Sequence, residues 1–337
     1  MDIERFDGHT EPERVRDCFR LVRACFPVDQ PNQPEWSLAS FSAKWVQGFD
    51  GSPHESWIAA DASGEAVGCY LLTLPARENV ELAHTVLRVP PDRRRAGIGT
   101  ALLRHCAYRA RLADRTRLVA DAWDSSAGAA FAAAAGATAG IPNVRRSLQI
   151  DDDVRGRLPG LRAQAAAHAA GYSVLCWVGR TPEDQLEQLA AVHTAMADAP
   201  RNAGVEPWVW DADRIRRLEK LTAEHGLVSY TVAARHDATG QLAAVTQLVT
   251  DPGAPGWGIQ QITAVLPAHR GHRLGLLVKV AMLELLASAA PDVTRIVTEN
   301  AGANEYMIAI NAELGFRVSG VTRSWQLDLT GAAGPQS

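Results

Sequence analysis

The chain repeats itself, and the repeat limits what it can fold into more than any single motif does. Ala60-Asp61-Ala62-Ser63-Gly64-Glu65-Ala66-Val67 reads as strand, turn and strand around a glycine-containing hairpin loop. Asp237-Ala238-Thr239-Gly240-Gln241-Leu242-Ala243, 176 positions on, has the same form. The same step carries Val89-Pro90-Pro91-Asp92-Arg93-Arg94 onto Val265-Leu266-Pro267-Ala268-His269-Arg270, and Gly99 onto Gly275. Nearer the start the step shortens to 171 positions, with Gly8-His9-Thr10-Glu11 facing Gly179-Arg180-Thr181-Pro182. Matches in order at a nearly constant offset point to a duplication. The length of 337 residues suits two domains.

Each copy then reads alike. A first strand (Ile3–Phe6; Ser173–Val178) leads into a helix opened by Thr10-Glu11-Pro12-Glu13 or Thr181-Pro182-Glu183-Asp184, with Thr as cap and Pro in the first turn. A Trp-bearing helical region follows. Strands are expected over Ser56–Leu74 and Val80–Val89, and over Val228–Val249 and Gly258–Leu266. A loop and a long helix (Gly99–Ala113; Gly275–Ala289) precede a buried strand (Arg117–Ala122; Thr294–Thr298) and a second helix. The Arg- and Ala-rich stretch Val154–Ala170 predicts an amphipathic interdomain helix. The expected division is a first domain at 1–150, a linker helix at 151–172 and a second domain at 173–330.

Composition narrows the class. Hydrophobic residues at 47% and charged residues at 21% exclude a disordered or fibrous chain. A net charge of -4 leaves no global basic field to hold nucleic acid. The five cysteines are scattered and form no C-x-x-C pair, which argues against a disulfide framework and a thiolate zinc site. No His/Asp/Glu spacing suggests a metal site either. Reduced thiols fit the cytoplasm. The most apolar stretches do not fit a membrane span: Ala127–Ile141 is short, and Leu274–Ala290 carries Lys279 and Glu284. Met1-Asp2-Ile3-Glu4-Arg5-Phe6 shows no signal-peptide pattern.

The chemistry concentrates at Arg94-Arg95-Ala96-Gly97-Ile98-Gly99-Thr100, between a strand ending at Val89 and a helix. The first amides of a helix lack internal partners, and the macrodipole adds about half a positive charge there. Glycines let an anion approach that backbone, so the loop reads as a pyrophosphate cradle. The nucleoside triphosphate loop is excluded because no Gly-Lys-Ser/Thr follows, and the dinucleotide fingerprint because its third Gly is missing.

Arg94-x-x-Gly97-x-Gly99, preceded by Val89-x-Pro91, resembles the coenzyme A signature of the GNAT N-acyltransferase superfamily. With the repeat, the resemblance extends over nearly the whole chain and is to tandem two-domain acetyltransferases of actinobacterial type. It implies an α/β fold of two GNAT-like domains, each a mixed central sheet flanked by helices. It assigns coenzyme A to Leu87, Val89, Arg94, Arg95, Ala96, Gly97, Gly99 and Thr100 in the first half. In the second half it assigns Val265, Arg270, Gly271, His272, Arg273, Gly275, Leu276, Asn300 and Asn304, with Arg273 standing where the first glycine is expected.

In this family an Asn after the next strand contacts the cofactor arm, and a Tyr seven residues later often protonates the departing thiolate, just before Leu-Gly-Phe. The second half keeps Asn304 and Leu314-Gly315-Phe316, with Asn311 at the Tyr position. The first half has Ser125 and Ala132 at these places. The resemblance therefore implies a degenerate first domain and a catalytic second one. An amide has no useful acid pKa, which leaves the acid role vacant or moved.

Single residues keep two readings. Asn304 contacts the cofactor or caps the next helix. Glu299 is a base for the amine or a carboxylate in that cap region, and Glu81 and His84 take a proton or are ordinary strand residues. Trp208, Trp210 and Asp211 border an acceptor pocket or are core tryptophans beside an N-cap. The implied activity is transfer of an acetyl or short acyl group from acetyl-coenzyme A to a primary amine of a small molecule, by a monomer or homodimer without nucleic-acid or membrane partners. The alternative is a non-catalytic acyl-coenzyme A-binding sensor, favoured by the missing tyrosines.

Overall fold

Runs of apolar and β-branched residues build a sheet in each half, and one crossover helix makes its parallel step. The computed structural model describes residues 1–198, 200–202, 204–302 and 304–331. Contacts divide the chain into two units. Unit 1 takes Met1–Asn143, Asn202–Glu206 and Val321 onward, and unit 2 takes Val144–Arg201 and Pro207–Gly320.

Unit 1 opens with β1 (Asp2–Phe6), α1 (Pro12–Asp29), α2 (Leu38–Gln47), β2 (His54–Ala60), β3 (Ala66–Thr73) and β4 (Leu82–Arg88). Helix α3 (Ile98–Leu112) crosses over to β5 (Arg117–Trp123), followed by α4 (Ala127–Ala134) and β6 (Thr138–Gln149). Side chains alternate along β3. Tyr70 and Leu72 pack with Leu102 and Cys106 of α3, while Cys69 and Leu71 pack with Val15, Phe41 and Trp45 under α1 and α2. That alternation puts helices on both faces.

Unit 2 repeats the plan with α5 (Asp152–Ala166), β7 (Tyr172–Val178), α6 (Leu186–Thr194), α7 (Ala212–Glu224), β8 (Val228–His236), β9 (Leu242–Thr250) and β10 (Trp257–Val265). It continues with α8 (Leu274–Ala289), β11 (Arg295–Ala301), α9 (Glu305–Leu314) and β12 (Arg317–Asp328), the last of which lies mostly in unit 1. Helix α8 is apolar almost all round because it is buried almost all round, against β8 and β9 on one side and α5 on another. Helix α5 is the stretch expected to join the domains. It starts at Asp151, whose carboxylate accepts from the Val154 amide at 2.9 Å, and its Val154, Leu158 and Ala165 belong to the core of unit 2.

The sheet order in unit 1 is β1-β2-β3-β4-β5-β12, and in unit 2 it is β6-β11-β10-β9-β8-β7. Each unit is therefore completed by a strand from the other copy. Strand β12 pairs antiparallel with β5 from Thr322↔Trp123 to Asp328↔Arg117, and Leu327 and Leu329 join the core beneath. Residues 144–149 of β6 serve unit 2: Leu148 is buried in its core, and the Ile150 amide donates to Thr294 O at 2.7 Å. The units thus differ from a division at 150 and 173. These two final strands were not foreseen, since their sequences alternate weakly and β6 contains Gly140 and Pro142.

Two expected caps also differ. Thr10 turns back to Asp7 O while α1 starts at Pro12, and Thr181 donates to the Glu219 carboxylate of α7 at 2.6 Å. The five cysteines are free, four of them buried. Among the described residues no helix is long and apolar enough to cross a membrane.

Candidate functional site

The parallel ladder between β4 and β5 runs from Leu82↔Arg117 to His84↔Val119 and stops. Beyond it, β4 stays paired with β3 as far as Arg88, and β5 stays paired with β12 as far as Trp123. Each strand is held on its outer edge while the inner edges part. The gap opens into a cavity of about 350 Å³. Its wall takes Leu87, Arg88 and Val89 from β4 and the residue after it, and Asp121, Ala122 and Trp123 from β5. Ser126, Gly128 and Phe131 add the α4 side.

The loop lies at the same cavity, with Arg94, Arg95, Gly97, Gly99 and Thr100 in its lining and Ala96 exposed beside it. Gly97 has φ +83°, and a Cβ there would meet nothing within 4 Å, so glycine is favoured for backbone conformation rather than for room. Arg95 also has a left-handed φ of +65° and is exposed. Arg94, expected to reach the cofactor, is engaged within the protein. Its guanidinium donates to both carboxylate oxygens of Asp29, at 3.0 and 2.6 Å, and to Val89 O at 3.0 Å. Asp29 itself lines the cavity.

Asp121 accepts from Ser324 Oγ at 2.5 Å. His84 stands at the last ladder pair, exposed and outside the cavity lining, within electrostatic reach of Asp121 and Asp50. Desolvation outweighs those carboxylates and lowers its pKa below the usual imidazole value, which keeps the ring neutral at pH 7. Glu81 is ion-paired with Arg117 at 2.6 Å. Ser126 rather than Ser125 caps α4, accepting from the Ala129 amide at 3.3 Å.

Unit 2 has a second loop and a cavity of about 450 Å³. Val265, Arg270, Gly275 and Asn304 line it, with Met196, Thr263, Tyr306, Met307 and Ile310. Both loops use left-handed backbone at two equivalent places. Unit 1 fills them with Arg95 and then Gly97; unit 2 fills them with Gly271 at φ +88° and then Arg273 at φ +52°. The arginine at the expected glycine position thus accepts the glycine's conformation, and an ion pair with Glu313 holds it. His272 faces His168 O at 3.3 Å, and Leu276 is core rather than cavity wall. A Cβ on Gly275 would lie 2.9 Å from Ile310 Cδ1, so this glycine serves helix packing as well. Asn304 caps α9, accepting from the Met307 amide at 3.2 Å, and the residue also lines the cavity.

The remaining candidates do not converge on either cavity. Asn311 is fully buried; it donates to Asn300 Oδ1 at 2.8 Å and accepts from Lys279 Nζ at 3.0 Å. Lys279 was visible only as a charge interrupting an apolar run. Burial pushes its amine down to about 7. Glu299 is ion-paired with Arg145 at 3.4 Å. Trp208 and Trp210 stack on Arg214, whose guanidinium carbon lies 4.4 and 5.4 Å from their ring centres, and Asp211 caps α7 by accepting from the Arg214 amide at 2.6 Å. The aromatic faces are occupied by the protein's own cation.

Residues 15–135 match the acetyltransferase (GNAT) family model, and these lie in unit 1. The chain is similar to a tandem GNAT protein from the clavulanic acid biosynthesis pathway, solved without AcCoA, at 27% identity with a TM-score of 0.80. That match covers 98% of this chain and 99% of the other. A GCN5-related N-acetyltransferase from Sphaerobacter thermophilus shares the fold at 14% identity and a TM-score of 0.65, covering 95% of this chain and 94% of that one. No curated protein matches in sequence.

Proposed function

Since the chain is a tandem GNAT protein and an acyltransferase of that kind, we propose that it moves an acetyl or other short acyl group from coenzyme A to the primary amine of a small molecule, at the cavity of unit 1. One observation carries this reading: a glycine-bearing loop at a helix N-terminus and a parted pair of parallel strands line the same cavity.

The residues fit the cofactor. Gly97, Gly99 and Thr100 would hold its diphosphate with backbone amides at the start of α3, and exposed Arg95 would add charge. The strand edges at Leu87–Val89 and Ala122–Trp123 would hold the extended arm. When bound, the cofactor supplies an acyl carbonyl activated as a thioester. Asp121, on the cavity wall, would attract the cationic acceptor, and His84, at the end of the ladder where the strands part, would take the ammonium proton at a ring nitrogen. Catalysis on this plan is mainly positioning.

This moves the reaction from the second half, where sequence placed it, to the first. The sensor reading keeps one observation in its favour: neither Ala132 nor Asn311 can protonate a leaving thiolate. Thiol release from acetyl-coenzyme A across a panel of small amines tests the proposal. Acceptor-dependent release is expected, and binding without release over the panel would favour the sensor.

A further inference from the structure

Resting on the reading of unit 1 as the cofactor site, we infer that the chain holds one acyl-coenzyme A, and that a side-chain bridge of Gln260, Lys279, Asn311 and Asn300 shuts the equivalent channel in unit 2. Strands β10 and β11 pair only from Trp257↔Arg295 to Ile259↔Val297, so their inner edges part just as β4 and β5 do. Here the gap is spanned by hydrogen bonds. Lys279 Nζ donates to Gln260 Oε1 of β10 at 3.4 Å and to Asn311 Oδ1 at 3.0 Å. Asn311 Nδ2 then donates to Asn300 Oδ1 of β11 at 2.8 Å. Gln260 is held in turn, since its amide donates to Thr246 Oγ1 at 3.0 Å and Ile262 O at 3.1 Å.

Unit 1 lacks these groups at the matching places. Counted from the last ladder pair, Thr85 stands for Gln260 and Ala122 for Asn300. Leu103 stands for Lys279, counted from Gly99 and Gly275, and Ala132 stands for Asn311. Thr85 turns its hydroxyl to Leu71 O at 3.0 Å, away from any bridge. The cavities reflect the difference. That of unit 1 has walls from both parted strands, whereas that of unit 2, among the described residues, has Thr263, Ala264 and Val265 of β10 and none from β11. Opening the second gap would strand the buried amine of Lys279 and the buried amide of Asn311 without partners, and would cost half-buried Gln260 and Asn300 theirs, so the bridge resists an entering arm.

The test is calorimetric titration of the full chain with coenzyme A. One site per chain is expected; two equivalent sites would overturn the inference and leave the reading of unit 1 standing. No binding at all would overturn that reading. Location is settled at exposed loop positions: Arg95→Glu is expected to weaken binding about tenfold and Arg270→Glu to leave it unchanged, and the reverse would overturn the inference. A chain carrying Lys279→Leu, Asn300→Ala and Asn311→Ala is expected to gain a second site. If that chain stays folded by circular dichroism and still binds one, the bridge is not what closes unit 2.

Discussion

Asp29 grips Arg94 with both oxygens, Oδ1 to Nη1 at 3.0 Å and Oδ2 to Nη2 at 2.6 Å, on the wall of a cavity read as an anion site. On charge alone, removing that carboxylate should tighten anion binding. The geometry argues the opposite, because Asp29 fixes the arginine that also ties the loop to Val89 O. Asp29→Asn is therefore expected to weaken coenzyme A binding by about tenfold, read as a dissociation constant. Tighter binding would show that Arg94 serves the ligand directly.

His84 should set the acidic limb of the pH–rate profile. Its pKa is lowered, so the limb is expected below the usual imidazole value. His84→Gln should reduce kcat by about a hundredfold and remove that limb, with coenzyme A affinity retained.

Lys279 makes stability depend on pH. Its folded pKa, about 7, lies below the unfolded value of a lysine near ~10.4, so between these the unfolded chain binds the extra proton. Stability should rise with pH across that window, by up to about 1.4 kcal/mol per unit from this group, and the gain should vanish below pH 7. Denaturant unfolding of Lys279→Met at pH 7.5 and 9.5 is expected to show that rise abolished.

The two loop glycines should fail differently. Gly275→Val pushes a branched side chain at Ile310, 2.9 Å from the Cβ, and is expected to cost about 1–3 kcal/mol of stability with turnover kept. At Gly99 the Cβ would lie 3.6 Å from Phe131, a tolerable packing contact on the cavity wall. Gly99→Val is expected to lose coenzyme A binding instead. Melting temperature and calorimetry on both variants separate the cases.

The duplication, the two loops and the long helices after them were legible because each is local: a hairpin, a turn, an apolar run. What escaped was set by contacts remote in sequence. Nothing near Asn311 announces Lys279, 32 positions away, and nothing near Trp208 marks Arg214 as the cation on its face. The departure at Arg273 was visible as a letter, yet neither its left-handed backbone nor its ion pair with Glu313 of α9 was. Asp29, on a helix that also contains Pro27, carried no signal for the cavity it lines.

The exchanged strands bear on how the protein is made. A ribosome that has passed residue 150 has finished the first copy, yet the outer edge of β5 has no neighbour until residues 322–328 exist. At about 5–20 residues per second that wait is roughly 10–40 s, with an open strand edge of the kind that invites wrong pairing. The order of synthesis is thus not the order of completion, and the first unit to begin is the last to close.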